Sequence, residues 1–339
     1  MNIGLIGAGA NTRDRHIPGF RAIDGVSIAA VANRSRESGE RVARDFDIPR
    51  VFDTPEALIA DPGVDAICIG TWPYRHREYT IAALEAGKHV LCEARMAGTL
   101  DDAEEMLAAA ERHPELVAQI VPAPFDLRLG PTVTRLIREG ALGAITEVSV
   151  TSLNGSALNP ATPIHWRQQQ RYSGHNMGML GIWSEVIGRW LGDARTVSAQ
   201  GAIVTDRRPD PESGGEAIVD IPDTIAVVGE LENGALITYR VSSVAAGGPA
   251  NGVVVHGTKA TIHWQMGDTA EWAEHGKPFA PLEPDPGTAQ GWQVEADFVA
   301  SVREGRPVTL TNFDDGVRYM RFVEACWQSY EQGTRRPVG

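Results

Sequence analysis

The sequence predicts an α/β chain in two parts: a doubly wound parallel sheet at the N-terminus, then an α+β domain built on a largely antiparallel open sheet. Three observations predict it. Short apolar runs alternate with helix-period segments over the first 120 or so residues, as repeated strand-helix units do. After Val121 this alternation gives way to a helix, a strand and then longer strand-like runs. Finally, 339 residues exceed what most single cores hold, so the chain divides naturally at 1–122 and 123–339.

In the first part the strands are read at Asn2 to Ile6, Ser27 to Ala32, Ala66 to Gly70, His89 to Cys92 and Val117 to Val121. Helices fall at Ser35 to Phe46, Pro55 to Ala60, Tyr79 to Ala86 and Leu100 to His113, with Gly87 placed as a C-terminal cap. In the second part a helix from Pro131 to Glu139 stops at Gly140, a strand runs from Ile145 to Thr151, and Tyr172 to Leu191 contains a helix. Strands follow at Thr196 to Val204, Thr224 to Leu231, Ala235 to Ser243 and Val253 to His256, with hairpin signals at Asn233-Gly234 and His256-Gly257. Asp206 to Glu216 and Pro278 to Gly287 read as exposed loops, and helices from Gln293 to Glu304 and Asp315 to Gln332 close the chain.

Composition narrows the possible functions. A net charge of -13 repels a phosphate backbone, so nucleic acid is not expected as a partner. No apolar run reaches the roughly 20 residues of a membrane span, and the opening segment lacks the marks of a signal peptide, so a soluble, cytoplasmic protein is expected. Cys68, Cys92 and Cys326 are odd in number and far apart, which suits reduced, buried thiols. The histidines show no metal-ligand spacing, and no metal is expected.

Gly7-Ala8-Gly9 lies between the first strand and the first helix, where glycine allows a tight turn and lets the backbone approach a pyrophosphate. With the strand-turn-helix-strand unit around it, this is the signature of a dinucleotide-binding Rossmann domain. Thr12 stands where a third glycine belongs. Asn11 and Thr12 can donate to phosphate, and Arg13 can add a charged contact. The second strand ends in Ala32-Asn33-Arg34-Ser35, without the carboxylate that holds the ribose diol of NAD. Asn33 removes a repulsion, and Arg34 and Ser35 can bind a 2′-phosphate, so NADP(H) is preferred, with NAD(H) as the alternative.

Gly7-Ala8-Gly9, Thr71-Trp72 followed by His76, the run Ala82 to Glu93, Gly140 to Gly143, Trp190-Leu191-Gly192, and the ending Asp297-Phe298 to Arg306-Pro307 together resemble the Gfo/Idh/MocA oxidoreductases over essentially the whole chain. The resemblance implies hydride transfer between a nicotinamide and a sugar or polyol carbon, with a small molecule as partner. It also implies a homodimer or homotetramer formed through the C-terminal sheet. It places Thr71, Trp72, His76, Glu93 and Arg95 near the cofactor. In the family a Glu-Lys-Pro motif and a helix bearing Asp and His complete the site; here the matching positions carry Glu93-Ala94-Arg95, Met179 and Trp183. Arg95 cannot act as a base, although it can hold an anion. Met179 and Trp183 are either core or an apolar wall of the substrate pocket.

A substitute proton carrier must titrate or relay. Tyr74 and His76 follow the third of these strands, at the edge where ligands bind in such sheets. Tyr172 and His175 precede the apolar helix, and His175, read as one helical turn before Met179, is the preferred carrier. His165 and Arg167 can supply an aromatic wall and a cationic anchor for the substrate. The function expected is an oxidoreductase for a small polar alcohol or carbonyl, possibly sugar-derived. The alternative is a nucleotide-binding homologue without net redox chemistry: a lyase, an epimerase or a ligand-binding regulator. A structural partner of an active homologue is a third reading.

Overall fold

A computed structural model describes residues 1–248, 251–288 and 290–339. The chain forms two compact units, residues 1–122 with 293–317, and residues 123–292 with 318–339.

The first unit holds a parallel sheet of six strands: β1 (Asn2–Ile6), β2 (Ser27–Ala32), β3 (Val51–Phe52), β4 (Ala66–Ile69), β5 (His89–Cys92) and β6 (Ala118–Ile120). Their order is β3-β2-β1-β4-β5-β6. The chain therefore reverses direction between β1 and β4, and such a switch point opens a crevice at the carboxyl ends of the strands. Ile3, Leu5, Ile6, Val31, Ile67, Ile69, Val90 and Leu91 are fully or almost fully buried, as expected of strands covered on both faces. The helices are α1 (Ile17–Arg21), α2 (Arg36–Asp45), α3 (Pro55–Ile59), α4 (His76–Glu85) and α5 (Leu100–Arg112), with one π-helical turn at Thr12–His16. Ser35, Thr54 and Thr99 cap α2, α3 and α5 by accepting a backbone N–H three residues on.

The division at 122 needs one amendment, because residues 293–317 belong to the first unit. Its apolar face explains why. In α9 (Val294–Glu304), Phe298 is fully buried and meets Phe20 of α1 edge to face, with ring centroids 6.3 Å apart. Downstream, the amide of Ile120 donates to the Thr311 carbonyl at 2.9 Å, tying the following segment to β6.

In the second unit α6 (Gly130–Arg138), α7 (Gln170–Ser173) and α8 (Leu180–Leu191) accompany a nine-stranded sheet. Its strands are β7 (Ile145–Leu153), β8 (Ala194–Ala202), β11 (Thr224–Leu231), β12 (Leu236–Ser242), β13 (Gly252–Gly257), β14 (Ala260–Gln265), β15 (Thr269–Glu274), β16 (Ala280–Pro281) and β17 (Arg336–Pro337). Among the described residues only β7 and β12 pair in parallel, and every other neighbour in this sheet is antiparallel. The segment read as a loop over Asp206 to Glu216 is instead largely a hairpin, β9 (Arg207–Asp210) with β10 (Gly215–Ile218). Its Pro209, glycines and charges imitate a loop, yet Arg208 lies buried beneath it. The loop predicted at Pro278 to Gly287 likewise contains β16. A last helix, α10, spans Phe313–Gln332, and its Phe322 packs on Tyr239 of β12 at 5.1 Å. Cys68, Cys92 and Cys326 are buried and unbridged.

Candidate functional site

The crevice of the first unit lies at the switch point and has a volume of about 480 Å³. Gly7, Ala8 and Gly9 line it from β1, Asn33, Arg34 and Ser38 from the β2 side, and Thr71, Trp72, Tyr74 and Arg75 from the segment after β4. Gly7 adopts φ +79°, and a methyl group on it would come within 2.8 Å of the Thr71 side chain and 3.0 Å of the Gly70 backbone. Gly9 is different: a methyl there would meet only the Gly70 carbonyl, at 3.7 Å. The protein's own packing thus leaves space beside Gly9, as a closely approaching ligand requires. The Thr71 hydroxyl is buried and has no hydrogen-bond partner among the described residues. A buried hydroxyl rarely goes unsatisfied. An exposed glycine turn at a switch point, with an open donor beside it, fits a dinucleotide.

Several side chains expected on the phosphate are engaged with the turn itself. Asn33 accepts the Ala8 N–H at 2.9 Å, and the buried Thr12 hydroxyl donates to the Gly7 carbonyl at 3.3 Å. Arg13 does not line the crevice: it pairs with Asp45 at 2.7 Å and lies over the Phe46 ring. Ser35 accepts the Ser38 N–H as the cap of α2, and Ser38 is the serine that faces the crevice. Asn11 turns inward and donates to Glu93.

Glu93, at the end of β5, anchors a network that sequence reading missed. One of its oxygens accepts from Asn11 and from His16 Nε2, the latter at 2.9 Å, while His16 Nδ1 meets Glu295 at 2.5 Å. Carboxylates only accept, so both ring nitrogens donate and His16 is an imidazolium. Burial alone would lower its pKa, but the hydrogen bonds with Glu295 and Glu93 push it up to about 9. Burial works to raise the Glu93 pKa, and His16 outweighs it, so the carboxyl stays below its ordinary value.

His76 is not a proton carrier on the crevice wall. It is fully buried; Nδ1 faces the carbonyls of Arg95 (3.0 Å) and Met96 (3.2 Å), and Nε2 faces that of Thr71 (2.9 Å). Burial lowers its pKa, and the carbonyls only partly compensate. It is a fastener between the segments after β4 and β5. Arg95 is also buried, so it presents no cation on the crevice surface.

The second unit has its own cavity, of about 510 Å³, lined by His165, Arg167, Gln168, Met179, Arg208 and Asp223 among others. Burial, followed by the neighbouring Arg167, lowers the His165 pKa. Trp183 is not part of this wall. It is fully buried, with Phe125 at 4.6 Å and Trp264 at 5.8 Å between ring centroids, so the apolar stripe of α8 is core. His175 does not stand one helical turn before Met179 either, because the backbone turns at Gly174 (φ 62°) and Gly178 (φ 54°) and α8 begins only at Leu180. Its Nδ1 donates to Glu324 at 2.6 Å, and its ring stacks on Trp327 at 4.8 Å with an interplanar angle of 3°. Tyr172 lies under the Arg171 guanidinium at 4.5 Å and does not line the cavity.

A glycine-turn crevice at a Rossmann switch point, followed in the chain by a separate α+β unit with its own cavity, is the arrangement of a dinucleotide-binding oxidoreductase. Residues 1–120 match the model of an oxidoreductase family with an NAD-binding Rossmann fold, and residues 131–263 match the GFO/IDH/MocA C-terminal domain. The chain belongs to the Gfo/Idh/MocA oxidoreductases. It is 27% identical to inositol 2-dehydrogenase 2 of Saccharopolyspora erythraea, over 100% of this chain and 95% of the relative. It is 29% identical to levoglucosan dehydrogenase of Pseudarthrobacter phenanthrenivorans, over 77% of this chain and 73% of that one. In fold it superimposes on a levoglucosan dehydrogenase in complex with NADH and L-sorbose with a TM-score of 0.88, at 24% identity, covering 100% of this chain and 99% of the other.

Proposed function

We propose that the chain is an NADP-preferring oxidoreductase acting on a small polar alcohol or carbonyl of sugar-like kind. The observation that carries the cofactor choice is the crevice wall after β2. There Asn33 stands where a carboxylate would bind a ribose diol and repel a 2′-phosphate, with Arg34 and Ser38 beside it; the carboxylates that also line the crevice, Asp53 and Glu56, follow β3, and Asp53 is paired with Arg36 at 2.6 Å. Asn33→Asp keeps the acceptor for the Ala8 N–H and adds the repulsive charge. The ratio of kcat/KM for NADP to that for NAD is expected to fall at least tenfold in this variant. An unchanged ratio would exclude the 2′-phosphate reading.

A bound nicotinamide supplies hydride transfer, and the chain must then handle the proton of the substrate hydroxyl. His175 lies outside the lining of both the crevice and the cavity, and its hydrogen bonding has the form suited to that task. Glu324 holds its Nδ1 proton, Trp327 fixes the ring, and Nε2 remains an acceptor on a side chain 22% exposed. A carboxylate that fixes the tautomer of a base is a recurring device. Tyr74, on the crevice wall and 40% exposed, is the second group able to relay a proton. His175→Asn is expected to lower kcat by about 10²-fold or more, with NADP affinity unchanged. If kcat holds in that variant but falls in Tyr74→Phe, the proton travels through Tyr74. Steady NADPH consumption with a defined substrate separates this function from a non-redox one. Pairing of copies through the second sheet is supported by exposed Val228 and Leu236 on its neighbouring strands β11 and β12.

A further inference from the structure

The second unit buries a cation whose counter-charge none of the described residues supplies. Arg208 of β9 is fully buried. Its Nη1 donates to the Asn159 carbonyl at 2.9 Å and its Nη2 to the Ala157 carbonyl at 2.6 Å, while Nε has no hydrogen-bond partner among the described residues. No carboxylate of the described residues pairs with it. Buried charges are ordinarily paired, because desolvation costs several kcal/mol per ion and two carbonyl dipoles return only part of it.

Arg208 lines the 510 Å³ cavity, which lies within the range of small-molecule sites. The other titratable groups on that wall do not neutralise it. Asp223 is already committed: its oxygens accept from the amides of Val204 (2.9 Å) and Thr205 (3.2 Å) and from Gln168 Nε2 (3.3 Å). His165 is held towards its neutral form, with Nδ1 accepting the Arg167 N–H at 3.2 Å. Arg167 adds a second guanidinium, stacked on Trp166 at 4.2 Å. With Asp223 saturated, Arg208 keeps one positive charge without a counter-ion among the described residues.

We propose that this cavity takes a monosaccharide-sized ligand bearing a single carboxylate, a sugar acid or polyol acid, whose charge compensates Arg208. The proposal rests on the oxidoreductase reading above and names its substrate class. A monoanion matches the single charge of Arg208, whereas a phosphate ester, close to dianionic at neutral pH, overshoots it. The hydroxyls of such an acid can meet Asn154, Ser156 and Ser242 on the same wall.

Calorimetric titration of the NADP-loaded protein with D-gluconate and D-glucuronate, against D-glucose, myo-inositol and glucose 6-phosphate, tests this directly. The acids are expected to bind at least tenfold more tightly than the neutral compounds. That margin should shrink in Arg167→Ala, and in Arg208→Gln wherever circular dichroism shows that variant folded. Neutral sugars binding as tightly as the acids, tighter binding of the phosphate, or an acid preference indifferent to Arg167→Ala would overturn the proposal. A titration with NADP alone scores the cofactor reading separately, since binding of the acid needs no hydride transfer to be seen.

Discussion

Replacing Glu295 by alanine is expected to destabilise the protein by about 2 to 4 kcal/mol at neutral pH, and to remove a loss of stability that the native chain shows on the alkaline side. The replacement breaks a buried ion pair, which leaves its partner undercompensated. The sign follows from linkage. His16 has a folded pKa of about 9 against an ordinary 6.5, so the folded state binds its proton more tightly than the unfolded chain does. That stabilisation is fully present below pH 6.5 and is lost as the pH rises through 9. At pH 7 a shift of this size corresponds to about 2 to 3 kcal/mol. Glu93 acts in the opposite sense: its depressed pKa stabilises the fold above the ordinary carboxylate range and is lost as the pH falls through the folded value. Urea unfolding of the cofactor-free protein from pH 6 to 10 measures the His16 contribution, and the Glu93 contribution falls in the acid range below it. Equal slopes between pH 7 and 10 in the native chain and in Glu295→Ala would show that His16 is not the group responsible.

How legible such features are depends on the separation of their parts along the chain. Five strands of the six-stranded sheet are legible because each is a local apolar run, and α2, α3 and α5 carry their own caps. β3 was overlooked because two residues, Val51 and Phe52, make no pattern. The β9–β10 hairpin was hidden by loop-like composition, since its stabilising residue, Arg208, bonds to carbonyls about fifty positions away. His16 and Glu295 are separated by 279 residues. No spacing rule joins them, although a histidine just after a glycine turn and a glutamate in the first turn of an apolar helix were both visible signals.

On the substrate side, spacing along the chain does not translate into shared geometry. His175 and Met179 lie four apart, which suggests one helix face, but Gly178 at positive φ breaks the helix between them, and Gly174 just before His175 does the same. His175 consequently finds Glu324 on α10, a partner no local pattern indicates. Trp183 shows the reverse: its helical spacing was read correctly, and what the spacing builds is core.

Gly9→Ala is expected to weaken NADP binding tenfold or more, a loss of about 1.4 kcal/mol or greater, with little change in melting temperature. The two glycines of the turn make the comparison decisive. At Gly7 a side chain is excluded by the protein itself, through φ +79° and contacts of 2.8 and 3.0 Å, so Gly7→Ala should lower stability as well as binding. At Gly9 the nearest atom to an added methyl is 3.7 Å away, an ordinary contact, and the position is exposed. The only thing such a methyl can obstruct is a ligand lying along the turn. Thr12 does not make up for it: its hydroxyl is buried against the Gly7 carbonyl and holds the turn's shape instead of reaching outward. Titration of NADP against both variants, with melting curves alongside, therefore separates a binding glycine from a folding glycine. Unaltered affinity in Gly9→Ala would mean that the pyrophosphate does not lie against this turn.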